Sequence, residues 1–172
     1  MNLSKSIQVV VSAAIALVLC AVTFHAYAGE SDVAEIKALE ANLNASASAK
    51  DADGIMKNYV PDETLVVFDL IPPRQYVGAE SYKKNWQGFL GSFNGPATFE
   101  NSDMQVVSDG KLGYAHYIMH ITGTGKDGKP VDMTVRTTDV LRKIKGKWLI
   151  VHEHISVPVD VASGKPDMSS KP

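Results

Sequence analysis

Apolar residues first recur at helical spacing. Val33, Ile36, Leu39 and Leu43 stand three, three and four apart, which predicts an amphipathic helix. Asp32 and Glu35 ahead of them have the form of a capping box. After a run of small residues, Ala45 to Ala49, the sequence Asp51-Ala52-Asp53 starts a second short helix carrying Ile55, Met56 and Tyr59, which Pro61 ends. Leu65 to Leu70 is β-branched and apolar and predicts a strand, broken by Pro72-Pro73. A third helix is expected from Ala79 to Phe93, with Tyr82, Trp86, Phe89 and Phe93 as its stripe. Gly88 and Gly91 within it suggest a close approach to a sheet.

The pattern then becomes all-β. Strands are expected over 98–108, 112–122, 131–143 and 148–158, separated by turn signals at Asp109-Gly110, Asp127-Gly128 and Lys145-Gly146-Lys147. Helices early and a meander late predict an α+β domain with three helices on one face of a curved antiparallel sheet. Residues 161–172, rich in Ser, Gly, Lys and Pro, are expected to be disordered.

The segment 1–28 changes this picture. Lys5 precedes an uncharged apolar run from Ile7 to Val22, and Ala26-Tyr27-Ala28 has the small-x-small form of a cleavage site. The reading is a signal peptide at 1–28, a domain at 29–160, and a periplasmic or secreted product with no stable membrane insertion. Cleavage removes Cys20, the one cysteine. It therefore removes disulfide, thiolate-ligand and Cys-nucleophile chemistry. Against 19 acids the whole chain carries 17 Lys and Arg, and such a balance gives no footprint for nucleic acid. No Gly-rich phosphate loop or dinucleotide fingerprint is present, and no cofactor is expected.

Candidate chemistry lies on the strands and in the aromatic set. Period-two alternation places Trp148, Ile150, His152, His154 and Ser156 on one face of the last strand. His152 and His154 form an H-x-H pair, but a third protein ligand is missing, and His116 and His120 are about 13 Å apart at ~3.3 Å per residue; no metal is expected. Arg136 shares a face with Thr134, Thr138 and Val140, and alternation alone leaves open whether that face is inside. Inside, its guanidinium would need Asp69 or a ligand carboxylate as partner. Tyr59, Tyr82, Trp86 and Tyr117 are candidate pocket aromatics that suit a flat ligand.

The string Arg136-Thr137-Thr138, then Gly146-Lys147-Trp148, then His154-Ile155-Ser156-Val157-Pro158 resembles the closing hairpin of the nuclear transport factor 2-like superfamily, in particular its SnoaL-like branch. The calcium/calmodulin-dependent kinase II association domain ends in a similar hairpin. Asp69 at a strand end and Gly78 before the helix of Tyr82 and Trp86 agree with it. The resemblance implies a cone-shaped pocket, pairing of two copies through the convex face of the sheet, and Arg136 inside. It also implies that Asp69 stands near the general base of the ketosteroid isomerase branch. Leu43 occupies the place of that branch's tyrosine, and its second acid has no match here.

The site expected from all this joins Asp69 and His154, catalytic if the protein is an enzyme, to ligand-binding Arg136, Tyr59, Trp86, Tyr117, Thr138 and Ser156. Four readings stay open: an exported binder of a small acidic or carbonyl-bearing molecule, a cofactor-independent acid–base enzyme, an oligomerisation module, and a metal site on the last strand. A homodimer is expected, because Val151 and Ile155 would leave the outer face apolar.

Overall fold

The computed structural model describes residues 29–169. The expected leader, with Cys20, and residues 170–172 lie outside that part. Helix α1 occupies residues 29–48. Its buried stripe is Ile36, Glu40, Leu43 and Ala47, spaced four, three and four apart, so a glutamate sits within the apolar face. Asp32 lies inside this helix and does not cap it. Its carboxylate accepts from Lys143 Nζ at 2.7 Å and Trp148 Nε1 at 3.2 Å, tying α1 to the last hairpin.

Helix α2, Ala52–Met56, is capped by Asp51, whose Oδ1 accepts from the Gly54 N–H. It stops short of Tyr59, which instead bridges to Ile150 alongside the sheet. Helix α3 spans Ala79–Gly91. Its glycines 88 and 91 face open space and do not approach the sheet. The close approach is at Gly113, where a Cβ would lie 2.9 Å from the Val107 carbonyl oxygen and 3.1 Å from Ile36 Cδ1. That glycine lets α1 lie on the sheet.

The strands are β1 Val66–Phe68, β2 Tyr76–Val77, β3 Phe93–Ser108, β4 Leu112–Gly125, β5 Pro130–Ile144 and β6 Lys147–Ser156. They form one sheet in the order β2-β1-β6-β5-β4-β3. Only β1 and β6 run parallel, with Val67 opposite Glu153 and Phe68 opposite His154. Phe93 leaves the helix and opens β3, where a register shift before Ala97 accommodates Gly95-Pro96.

A second irregularity decides the site. Val140 pairs with His152 but Leu141 pairs with Ile150, so β6 carries one extra residue, Val151, as a bulge. Trp148 and Ile150 point into the core on one side of it, and Glu153 and Ile155 point in on the other. The core between helices and sheet includes an aromatic group of Trp86, Phe89, Phe93 and Phe99, with ring centroids 5.2–6.3 Å apart. Such edge contacts are worth about 0.5–1.5 kcal/mol each beyond area burial.

The chain does not unravel at 161. Val159 bridges to Pro166, and the Met168 carbonyl accepts from the Thr134 N–H at 2.8 Å. That contact extends the sheet beyond Ser156, the last residue of β6 opposite β5.

Candidate functional site

Alternation in β1 continues past its end. Val67 is buried opposite Glu153 and Phe68 faces out beside His154, so Asp69 turns back toward the inside. Helix α3 covers that point with Tyr82, Asn85, Trp86 and Phe89, spaced i, i+3, i+4 and i+7 on one face. Between them and the sheet lies a cavity of about 90 Å³. Its walls are apolar: Leu70, Ile71, Trp86, Phe89, Met119, Ile121, Met133, Val135 and Ile155. Its polar groups are Asp69, Asn85, Tyr82 and Glu153.

These polar groups form two hydrogen-bonded sets. Asp69 Oδ1 accepts from the Leu70 N–H and Oδ2 from Asn85 Nδ2, both at 2.6 Å. Asn85 Oδ1 in turn accepts from the Tyr76 hydroxyl at 2.9 Å. Glu153 is 1% exposed. Its Oε1 accepts from Tyr59 at 3.1 Å and its Oε2 from Tyr82 at 2.5 Å. Burial raises the Asp69 carboxyl above its ordinary range despite its two donors. Burial, and then the nearby Asp139 charge, raise Glu153 well above its own.

Behind Glu153 sits a second pair of acids. Glu40 of α1 and Asp139 of β5 are both fully buried. Both accept from the Tyr117 hydroxyl, at 3.2 and 2.9 Å. One hydroxyl proton cannot serve two acceptors at once. While both acids are ionised, Glu40 Oε1 and Asp139 Oδ1 also find no donor. A proton held by the pair supplies one of the missing donors. Burial, with Glu153 next in size, pushes Glu40 up to about 8. Burial and then Glu40 push Asp139 well upward. Among the described residues no Lys or Arg bonds any of these four acids, so no fixed cation offsets the burial that raises their proton affinity.

The eight residues expected at the site fall into two groups. Asp69 and Trp86 line the cavity, Tyr59 reaches it through Glu153, and Tyr117 lies deeper with Glu40 and Asp139. Arg136, Thr138, His154 and Ser156 do meet, but on the outer face. Arg136 pairs across strands with Ser156, and Thr138 with His154; Arg136, Thr138 and His154 are exposed and Ser156 is half-buried. This corrects the expected constellation. On β5 the inward set is Val135, Thr137, Asp139 and Leu141, and the bulge at Val151 turns His154 outward. Asp69 therefore bonds Asn85 and not Arg136. His152 Nδ1 donates to the Val66 carbonyl oxygen at 2.8 Å, because a carbonyl only accepts, and Nδ1 therefore carries a proton. The described residues contain no group of three His, Cys, Asp or Glu placed to hold a metal ion.

Glu40, Asn85, Asp139 and Glu153 are absent from the expected site. Glu40 carried a usable signal, a charge on the i, i+3, i+4 stripe of Ile36, Leu43 and Ala47.

A curved six-stranded sheet covered by three helices from the N-terminal half is the architecture of a nuclear transport factor 2-like protein. The chain belongs to the SnoaL-like domain family, whose model matches residues 36–160. It is similar to a nuclear transport factor 2-like protein of unknown function from Pseudomonas putida KT2440, at 28% identity over 83% of this chain and 98% of that one, TM-score 0.74. It is also similar to a candidate calcium/calmodulin dependent protein kinase II association domain from Xanthomonas campestris, at 25% identity over 74% and 88%, TM-score 0.64. A candidate dehydratase from Streptomyces avermitilis, at 15% identity over 74% and 97%, TM-score 0.65, shares the fold alone. No curated protein matches the chain.

Proposed function

We propose that this chain is an exported binding protein that takes a small, mainly apolar molecule with one polar end, such as a carbonyl or hydroxyl, into the cavity beneath α3. The supporting observation is the division of the cavity wall. Nine apolar side chains surround two hydrogen-bonded polar pairs, Asp69 with Asn85 and Glu153 with Tyr82. Such a wall rewards an apolar body and orients one polar group. The acidic ligand expected from Arg136 loses its basis, because Arg136 is on the outer face and an anion would meet Asp69 and Glu153. Trp86 lines the cavity and reports on it. Benzyl alcohol or acetophenone should change the tryptophan emission of the wild type and leave Trp86→Phe unresponsive. An identical response in Trp86→Phe would reject the pocket.

Acid–base catalysis is a second reading, favoured by two carboxyls of raised proton affinity facing one cavity. Asp69, as carboxylate, would take a proton from the carbon beside a carbonyl while neutral Glu153 donates a hydrogen bond to the carbonyl oxygen. Deuterium exchange into acetophenone in D₂O that is lost in Asp69→Asn supports it; exchange at the background rate rejects it.

Export rests on the pattern at 1–28, and intact mass from the native host should show a chain beginning at Gly29. Pairing of two copies rests on the outer sheet face, where Phe68 (39%), Val107 (50%), Leu112 (49%) and Tyr114 (43%) are exposed. Ile155, previously counted there, lines the cavity instead. Light scattering at micromolar concentration should give the dimer mass, and a monomer would reject pairing.

A further inference from the structure

We infer that the molecule taken by this cavity carries a protonated amine at its polar end, seated between the Asp69 and Glu153 carboxyls and the faces of Trp86, Tyr82 and Phe89. This rests on the binding reading above and names the ligand class for the same site. Three observations carry it.

The first is the sign of the interior. Asp69 and Glu153 face the cavity, Glu40 and Asp139 lie behind Glu153, and no cationic side chain among the described residues bonds any of them. A ligand bringing its own positive charge supplies what the fold leaves out. The second is the chemistry of the wall. Tyr82, Trp86 and Phe89 line it together, with Tyr82 and Trp86 centroids 6.1 Å apart and Trp86 and Phe89 6.0 Å apart. Aromatic faces beside carboxylates suit an ammonium group. The third is capacity. Each Glu153 oxygen already accepts one tyrosine proton and keeps a lone pair for a ligand N–H. Trp86 is 5% exposed and its Nε1 has no partner, which leaves a donor for an acceptor elsewhere on the same ligand.

The arrangement has a proton consequence. Without a cation, burial favours the neutral carboxyl at Glu153. An ammonium beside it reverses that preference, so Glu153 ionises and a proton leaves to solvent on binding. Binding enthalpy should then vary with the ionisation enthalpy of the buffer.

The test compares benzylamine, benzyl alcohol and benzoate on the full chain, by tryptophan emission and by calorimetry in phosphate and in Tris near pH 7. Benzylamine is expected to bind at least about tenfold more tightly than the alcohol, the equivalent of one favourable charge-assisted contact, with proton release and with no measurable benzoate binding. Asp69→Asn and, separately, Glu153→Gln should each shrink the amine preference while the alcohol still binds; the first is at a half-buried position and guards against a folding defect in the second. Alcohol or benzoate binding as tightly as the amine, or a preference unchanged in both variants, overturns the amine assignment while leaving the pocket reading intact. Failure of all three compounds to bind overturns both.

Discussion

Replacing Glu40 by Gln tests how the buried acids bear on stability. Glu40 is fully buried, shares the Tyr117 hydroxyl with Asp139, and its carboxyl is pushed from the ordinary 4.5 up to about 8. In the unfolded chain it titrates in water at the ordinary value. Folding therefore takes up a proton between these two pH values, so the stability from this group is complete below about pH 4.5 and drains away as the pH rises toward 8. At about 1.4 kcal/mol for each pH unit separating the two states, the full loss is roughly 5 kcal/mol. Gln has the shape of the neutral acid, donates an N–H to Asp139 and never ionises. The variant should match the wild type within about 1 kcal/mol near pH 5. It should exceed it by about 2–5 kcal/mol near pH 9, the lower figure applying because Asp139 keeps its own share of the penalty. Urea unfolding at several pH values reads both. A wild-type midpoint that is level or rises from about pH 5 to pH 8.5 refutes the reasoning, as does a variant that loses stability equally at every pH.

Gly113→Ala should cost about 1–3 kcal/mol in urea unfolding, since its Cβ would press on the Val107 carbonyl, which cannot swing away, and on Ile36. Lys143→Met removes the partner that holds the Asp32 carboxyl below its usual range; about 1 kcal/mol should be lost near neutral pH, and the difference should shrink as the pH falls below the ordinary aspartate value and acid protonates Asp32, read as converging melting temperatures. Arg136→Leu should leave benzyl alcohol affinity within twofold, because Arg136 faces away from the cavity; a loss above about tenfold would place it inside after all.

Much of the fold was legible because its period was. The helical stripes, the four long strands and their turns all follow from spacing that burial on one side imposes. The site was less so, for two local reasons. On β5 both faces alternate polar residues with apolar ones: Arg136 and Thr138 on one, Thr137 and Asp139 on the other. Composition therefore could not say which was inside, and an arginine looked the better candidate for a pocket than a buried aspartate. On β6 the alternation was followed correctly to Ile150 and then failed at Val151, a residue type that marks no bulge. Every residue beyond it was assigned to the wrong side. Glu40 was hidden for a different reason: a charge on a helix is read as solvated, and only its alignment with Ile36, Leu43 and Ala47 speaks against that.

The extra residue at Val151 also sets how this pocket could change over evolutionary time. Point substitutions swap one side chain for another at a fixed address. Drawing Val151 into the ladder opposite Val140 would instead exchange the two rows of β6 beyond it, sending Glu153 out and drawing in His152 and His154, whereas deleting Val151 would keep the present rows. The Glu153 carboxyl of the lining would give way to imidazoles with no change in chain length. Keeping or losing the bulge at this strand is therefore a route by which related chains could acquire opposite ligand preferences while every neighbouring residue stayed the same.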